Sequence, residues 1–107
     1  MTTIERENTR AVTDGEHQRW TVTVSVRIPR NGGEALPRAV ASRLRRNSQL
    51  AEVEVIDLCG LVPGLAATVA TCTVHFVTRS EFERDGVNEL LETMTAVEDV
   101  RGIERRS

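Results

Sequence analysis

The run from Trp20 to Ile28 restricts the fold of this chain more than any other feature of its sequence. Large apolar side chains alternate there with smaller or polar ones. Side chains alternate between the two faces of a β-strand, and β-branched residues favour strands. The run therefore predicts a strand with one buried face. That face carries Trp20, Val22, Val24, Val26 and Ile28, and the other carries Thr21, Thr23, Ser25 and Arg27.

Five further elements are predicted after this strand. An amphipathic spacing of Leu36, Val40 and Leu44 indicates a helix, and Pro37 is compatible with its first turn. Segment 1–18 has no apolar periodicity, so we expect a flexible arm there and a folded domain over 19–107. The predicted elements are a strand over 20–28, a helix over 34–46, a strand over 52–59, a turn over 60–64, a strand over 65–77, a helix that Ser80 or Asp85 caps, and a strand over 100–105.

This order of elements predicts an α+β fold. Right-handed crossovers would place both helices on one face of a four-stranded antiparallel sheet, with the first and third strands in its centre. The ferredoxin-like βαββαβ sandwich is the simplest fold that fits this arrangement.

Composition limits the class of protein. The chain has 107 residues, 39% hydrophobic and 28% charged, which suits a single globular domain. It has no apolar run of the roughly 20 residues that a membrane helix needs, and no apolar signal-peptide core. Cys59 and Cys72 are too few for a disulfide scaffold, so we expect a cytoplasmic protein. A net charge of −2 argues against general affinity for nucleic acid or anionic membranes.

The predicted strands argue against a metal site at Cys72 and His75 and against RNA recognition. Cys72 and His75 are three residues apart, so they would lie on opposite faces of a strand and could not share a metal ion. No metal or other cofactor is predicted. RNA-recognition modules of this fold stack bases on aromatic residues of the exposed sheet face, where this chain carries threonine and serine.

The turn after the first strand is the best candidate for a small-ligand site. Its glycines expose backbone N–H groups beside a helix N-terminus, and two guanidinium groups stand near. This combination suits a carboxylate or a phosphate, although a strand-to-helix turn also needs glycine for purely structural reasons. The turn residues are Arg27, Arg30, Asn31, Gly32 and Gly33.

An apolar patch surrounds the second predicted strand. If Val53 and Val55 point inward, Ile56 and Leu58 alternate unevenly with them, which predicts a β-bulge between the two pairs. An exposed apolar edge strand is usually covered, here by a second copy or a different protein. The patch consists of Ile56, Leu58, Leu61, Val62, Leu65 and Val69.

Segment 20–105 resembles the ACT family of regulatory domains. The resemblance lies in the alternating first strand, the glycine turn of 31–36, the leucine-rich second helix and the closing segment 97–104 with its central glycine. The ligand-binding domain of leucine-responsive regulators and the ACT-like tail of a magnesium-associated membrane protein family are similar to it as well. The resemblance implies that an amino acid or a similar small molecule binds at a dimer interface, through Asn31, Gly32, Gly33 and Leu36.

Three functions follow as hypotheses. The first is a stand-alone regulatory module that forms a homodimer and binds a small anionic metabolite or an amino acid. The second is an adaptor that docks a larger protein through the edge of the second strand. The third is a small dimeric enzyme, which would need a pocket with His75 or Trp20 on its wall.

Overall fold

Four strands form one antiparallel sheet, and two helices lie between them in the chain. The computed structural model describes residues 18–30 and 35–106. The predicted α+β architecture and its order of elements are confirmed. The elements are β1 (Gln18–Pro29), α1 (Leu36–Arg45), β2 (Leu50–Pro63), β3 (Ala67–Thr78), α2 (Arg84–Glu92) and β4 (Val97–Arg106).

The strands are ordered β2-β3-β1-β4, so β1 and β3 are central, as predicted. β1 pairs with β3 without a register shift, from Gln18 opposite Thr78 to Pro29 opposite Ala67. This long regular ladder follows from the strict alternation of the β1 sequence, because any slip by one residue would turn its valines to the other face.

The core lies between the sheet and both helices. Trp20 reaches into it with 2% of its surface exposed, and its indole Nε1 donates a hydrogen bond to the Thr78 hydroxyl at 3.2 Å. The buried face predicted for β1 is therefore confirmed. The fully enclosed members of the core include Val22, Val24, Val26, Val40, Leu44, Ala70, Cys72, Val74, Val87 and Leu91.

Both helices begin without a side-chain cap. Ala35 and Glu83 occupy the N-cap positions and neither makes a capping hydrogen bond, so Ser80 and Asp85 do not cap α2. Gly86 lies inside α2, where a β-carbon would come within 3.2 Å of the Phe82 ring. The close packing of that ring explains a glycine that helix propensity alone disfavours.

Several predicted boundaries are corrected, among them the start of β4, which is Val97 and not residue 100. Gln18, assigned to the arm from the sequence, is the first residue of β1, and its side-chain carbonyl accepts the Phe82 N–H at 2.9 Å. Segment 60–63, predicted as a turn, belongs to β2 instead. Gly60 suggested a turn, but it pairs with Thr71 directly after a bulge.

β2 is an irregular edge strand. Its register against β3 shifts between Ala51 and Glu54, between Val55 and Asp57, and again between Leu58 and Gly60. The second shift confirms the bulge predicted from the uneven alternation. At the first one, Glu52 has a φ of 51°, a left-handed conformation that is rare for a residue other than glycine.

Candidate functional site

An arginine-lined groove lies where one end of each helix meets the sheet. Its volume is about 590 Å³, within the range of roughly 300–1,000 Å³ that is usual for small-molecule sites. Arg43 and Arg46 come from the end of α1, and Arg27 comes from β1. Within the described segments, no acidic residue lines the groove.

Uncharged residues complete the groove. Asn47 follows α1, and its side-chain oxygen accepts the Gln49 N–H at 2.9 Å, which leaves the amide NH₂ as a donor. Met94 and Ala96 lie in the loop after α2. Ala66 and its neighbour Ala67 bring the turn between β2 and β3 to the same groove.

Arg27 is fixed by its main chain rather than by its side chain. Its N–H donates to the Ala96 carbonyl at 2.7 Å, which joins β1 to the loop after α2. Its guanidinium Nε lies 3.1 Å from Glu98 Oε2, but these two side chains are 53% and 40% exposed. Exposed pairs of this kind contribute little to stability.

The structure brings together only some of the residues predicted to bind a ligand at the turn after β1. Arg30 Nη1 donates to the Gly64 carbonyl at 2.8 Å, so this guanidinium ties β1 to the hairpin turn. Arg30 and Leu36 line a smaller cleft of about 240 Å³, and this cleft shares Arg43 with the large groove. The other three turn residues, Asn31, Gly32 and Gly33, lie outside the described residues.

Sequence reasoning assigned no ligand role to Arg43 and Arg46. They lie at the end of a helix, where cations offset the helix dipole, and this local role is sufficient to explain their presence. Only the folded chain brings these two residues to the same groove as Arg27, which precedes them by a whole turn and helix. No local spacing in the sequence predicts that these three arginines line one groove.

The apolar patch is exposed, but its members do not share one face. Leu58 lies opposite Cys72 and Leu61 opposite Ala70, which are buried, so both leucines are on the side of the sheet that carries the helices. Val62 lies opposite Val69 on the other side, and Val69 is only half-buried. The exposed fractions are Ile56 47%, Leu58 39%, Leu61 47%, Val62 66% and Leu65 100%.

These apolar residues belong to a hairpin that carries no charge. From Leu58 to Val74 the sequence contains no Asp, Glu, Lys, Arg or His. We call segment 58–74 the uncharged hairpin. Its turn is closed by a hydrogen bond from the Gly64 N–H to the Ala67 carbonyl at 2.8 Å, and the Arg30 guanidinium binds the Gly64 carbonyl.

The two cysteines are free thiols in different surroundings. Cys72 is buried, whereas Cys59 is exposed, with its Sγ 3.5 Å from the Thr73 hydroxyl. Burial raises the pKa of the Cys72 thiol, and the nearby Cys59 and Asp57 raise it further. Cys72 is therefore a poor nucleophile at neutral pH.

His75 lies on the sheet face opposite the core, as predicted, and so away from Cys72. It is opposite Glu54 on β2 and borders a cleft of about 190 Å³ with Arg19 and Arg106. Among the described residues, no group of three or more His, Cys, Asp or Glu side chains is placed to hold a metal ion. No helix within the described segments is both long and apolar enough to cross a membrane.

Comparison with known proteins gave no match. The chain matched no family model, no curated protein and no solved structure. The resemblance to ACT domains accordingly stays a prediction.

Proposed function

We propose that this chain is a ferredoxin-like, ACT-like regulatory module that forms a homodimer and binds a small anionic metabolite or an amino acid. The strand order β2-β3-β1-β4, with antiparallel neighbours throughout, supports the ferredoxin-like assignment. The observation that carries the proposal is the uncharged hairpin, which leaves Leu58, Leu61 and Leu65 exposed to water.

A second copy is the occupant that this hairpin suits best. In a twofold dimer each surface meets itself, so every charged residue near the axis would face its own equivalent. Residues 58–74 contain no charged side chain, so two such hairpins can pack with little charge repulsion, and the nearest guanidinium at the turn, that of Arg30, is hydrogen-bonded to the Gly64 carbonyl. Full burial of an exposed leucine contributes about 1.5–3 kcal/mol, which applies to Leu65, while Leu58 and Leu61 are 39% and 47% exposed and contribute correspondingly less.

The contact is made by side chains rather than by joining two sheet edges. Three bulges interrupt β2 between Ala51 and Gly60, and bulges turn an edge away from further strand pairing. Carboxylates at Glu52, Glu54 and Asp57 add charge along the same strand. Because the bulges and carboxylates disfavour pairing along the rest of β2, the uncharged hairpin is the surface through which two copies can associate.

Light scattering on matched variants tests the dimer. Leu58→Asp and Leu61→Asp each place two carboxylates in a twofold contact, one per copy, and should weaken association on the order of 100-fold. Val62→Asp changes the opposite face of the same hairpin and shows which face packs. Ser80→Asp adds the same charge at an exposed site after the end of β3, at the opposite end of that strand from the hairpin turn, and should leave the mass unchanged. A wild-type monomer at high concentration would refute the dimer.

Ligand binding is supported by the arginines near the β1–α1 turn. Arg30 and Leu36 line one small cleft together, and guanidinium groups bind carboxylates and phosphates in a bidentate manner. A panel of amino acids and small anionic metabolites is to be tested for an increase in the thermal midpoint, since a ligand that binds only the folded state stabilises it. A midpoint that no compound raises would count against this half of the proposal.

An adaptor function is the second candidate, because the same exposed hairpin could be covered by a different protein. In that case the isolated chain is a monomer whatever its concentration. A partner captured by the wild type and lost with Leu58→Asp, but retained with Ser80→Asp, would favour the adaptor over the dimer.

A further inference from the structure

We propose that the groove lined by Arg43 and Arg46, with Arg27 at its border, is the site for the anion, that these two α1 arginines bind it, and that the ligand is a small organic carboxylate or phosphate with an apolar body. This inference rests on the ligand-binding half of the proposed function and moves the anion away from the β1–α1 turn. The groove is more than twice the volume of the cleft that contains Arg30, about 590 Å³ against about 240 Å³.

The charge of the groove selects an anion. Arg43 and Arg46 are three residues apart at the end of α1, a spacing that places two side chains on neighbouring positions of one helix surface. Among the described residues that line the groove there is no carboxylate to neutralise them. Two adjacent guanidinium groups can bind the oxygens of one carboxylate or phosphate in a bidentate manner.

The end of a helix normally repels anions, and here that effect is reduced. The last carbonyls of α1 carry the negative end of its dipole. The carbonyls of Arg43 and Leu44 already accept the N–H groups of Arg46 and Asn47, both at 3.2 Å. The guanidinium groups thus lie at a helix end where two of the terminal carbonyls already accept hydrogen bonds.

The remaining lining residues indicate the chemistry of the part of the ligand that carries no charge. Pro29, Met94 and Ala96 present apolar surface, while the Asn47 amide supplies a neutral donor. A bare inorganic ion would leave the apolar wall in water. A ligand with an aromatic or aliphatic body covers this wall and gains the free energy of burying it.

The site is tested by titration with three probes: inorganic phosphate, phenyl phosphate and phenylacetate. We expect phenyl phosphate to bind more tightly than inorganic phosphate, and the comparison with phenylacetate separates phosphate from carboxylate preference. The amide resonances of Arg46, Asn47 and Thr95 should shift in a ¹H–¹⁵N spectrum, because these residues line the groove.

A double variant in α1 tests the groove, and a single variant in the same helix is its control. Arg43→Gln with Arg46→Gln should weaken binding of phenyl phosphate by at least about tenfold, the loss expected for one charge-assisted hydrogen bond. Arg38→Gln removes an exposed arginine from the same helix, outside the groove lining, and should change the affinity by less than about twofold.

Several outcomes would overturn the groove assignment. One is that no probe binds the wild type at concentrations up to about 10 mM. Another is equal weakening by the groove variant and by Arg38→Gln, which would indicate a general charge effect. Binding that survives the groove variant but is lost with Arg30→Gln would return the ligand to the β1–α1 turn. That last result would leave the proposed function intact, and the mass of each sample reports on the dimer independently.

Discussion

Trp20 and Thr78 are joined by a buried hydrogen bond at the start of β1 and the end of β3. The indole Nε1 lies 3.2 Å from the Thr78 hydroxyl oxygen, and the two residues are 2% and 0% exposed. An indole N–H can only donate, and a buried donor without a partner is costly. This bond therefore holds the largest core side chain at one end of the central strand pair.

Replacing Thr78 by valine should cost about 1–3 kcal/mol of unfolding free energy, because the indole N–H loses its acceptor while the shape of the side chain is kept. The same change in a Trp20→Phe background should cost much less, since no donor is left unpaired. Chemical denaturation followed by circular dichroism measures all four members of this cycle. Equal costs in both backgrounds would show that the hydrogen bond contributes nothing.

Gly102 and Gly60 should respond oppositely to alanine. Gly102 has a φ of +61° beside a register shift of β4, where a side chain is strained, so Gly102→Ala should cost about 1–2 kcal/mol. Gly60 has nothing within 4 Å of an added β-carbon, and Gly60→Ala should be neutral or stabilise by up to about 1 kcal/mol.

Fluorescence of Trp20, the only tryptophan, follows unfolding of both glycine variants. Asparagine tolerates left-handed backbone better than alanine, so Gly102→Asn should be less destabilised than Gly102→Ala. If both alanine variants lose the same stability, backbone conformation is not the cause.

The sequence could predict the regular strands of the sheet but not its irregular one. The strict alternation from Trp20 to Ile28 predicted β1, and the one-sided burial of β1 and β3 followed because a regular strand keeps its phase. β2 does not keep its phase. Each of its three bulges changes the face of every later residue. The sequence predicted only one of these bulges, and it therefore could not assign Leu58 and Leu61 to the side of the sheet that carries the helices.

The groove was harder to predict for a different reason. Arg43 and Arg46 had a sufficient local explanation at the end of a helix, and only tertiary packing brings them to Arg27. Arg30, by contrast, was expected beside a ligand, and the structure adds a bond from its Nη1 to the Gly64 carbonyl that the sequence did not predict. A guanidinium has five donors, and the sequence does not indicate which carbonyl will lie within reach.

The two thiols should react at different rates. Cys59 is exposed and should be alkylated in the folded protein, whereas Cys72 should react only after unfolding because it is buried and its pKa is raised. Mass spectrometry after a short iodoacetamide pulse counts the modified sites. Rapid modification of Cys72 in native protein would mean that the core between the sheet and the helices opens.

The raised pKa of Cys72 also predicts how stability depends on pH. The folded state keeps this thiol protonated above the ordinary value of 9.0, whereas the unfolded state loses the proton there. Its contribution to stability is thus fully present below pH 9.0 and is lost as the pH rises through the folded-state pKa. Between pH 8 and 10.5, wild type should lose more stability than Cys72→Ala, and parallel curves for the two proteins would contradict the prediction.

Ligand binding and self-association should be coupled, because the groove and the uncharged hairpin share residues. Ala66 and Ala67 line the groove and also form the turn that carries Leu65. If a second copy packs on this turn, it changes one wall of the groove, and the ligand then has different affinities for the monomer and the dimer. Linkage requires the effect to be reciprocal, so a ligand that favours the dimer must bind the dimer more tightly by the same factor.

Analytical ultracentrifugation with and without saturating phenyl phosphate measures the dimer dissociation constant in each state. A coupling of about 1–3 kcal/mol would appear as a shift of roughly 5- to 150-fold in that constant. Leu65→Asp should abolish the shift while leaving binding of phenyl phosphate to the monomer intact, because Leu65 does not line the groove. An unchanged constant would mean that the hairpin keeps one conformation at Ala66 and Ala67, whether or not the groove is occupied.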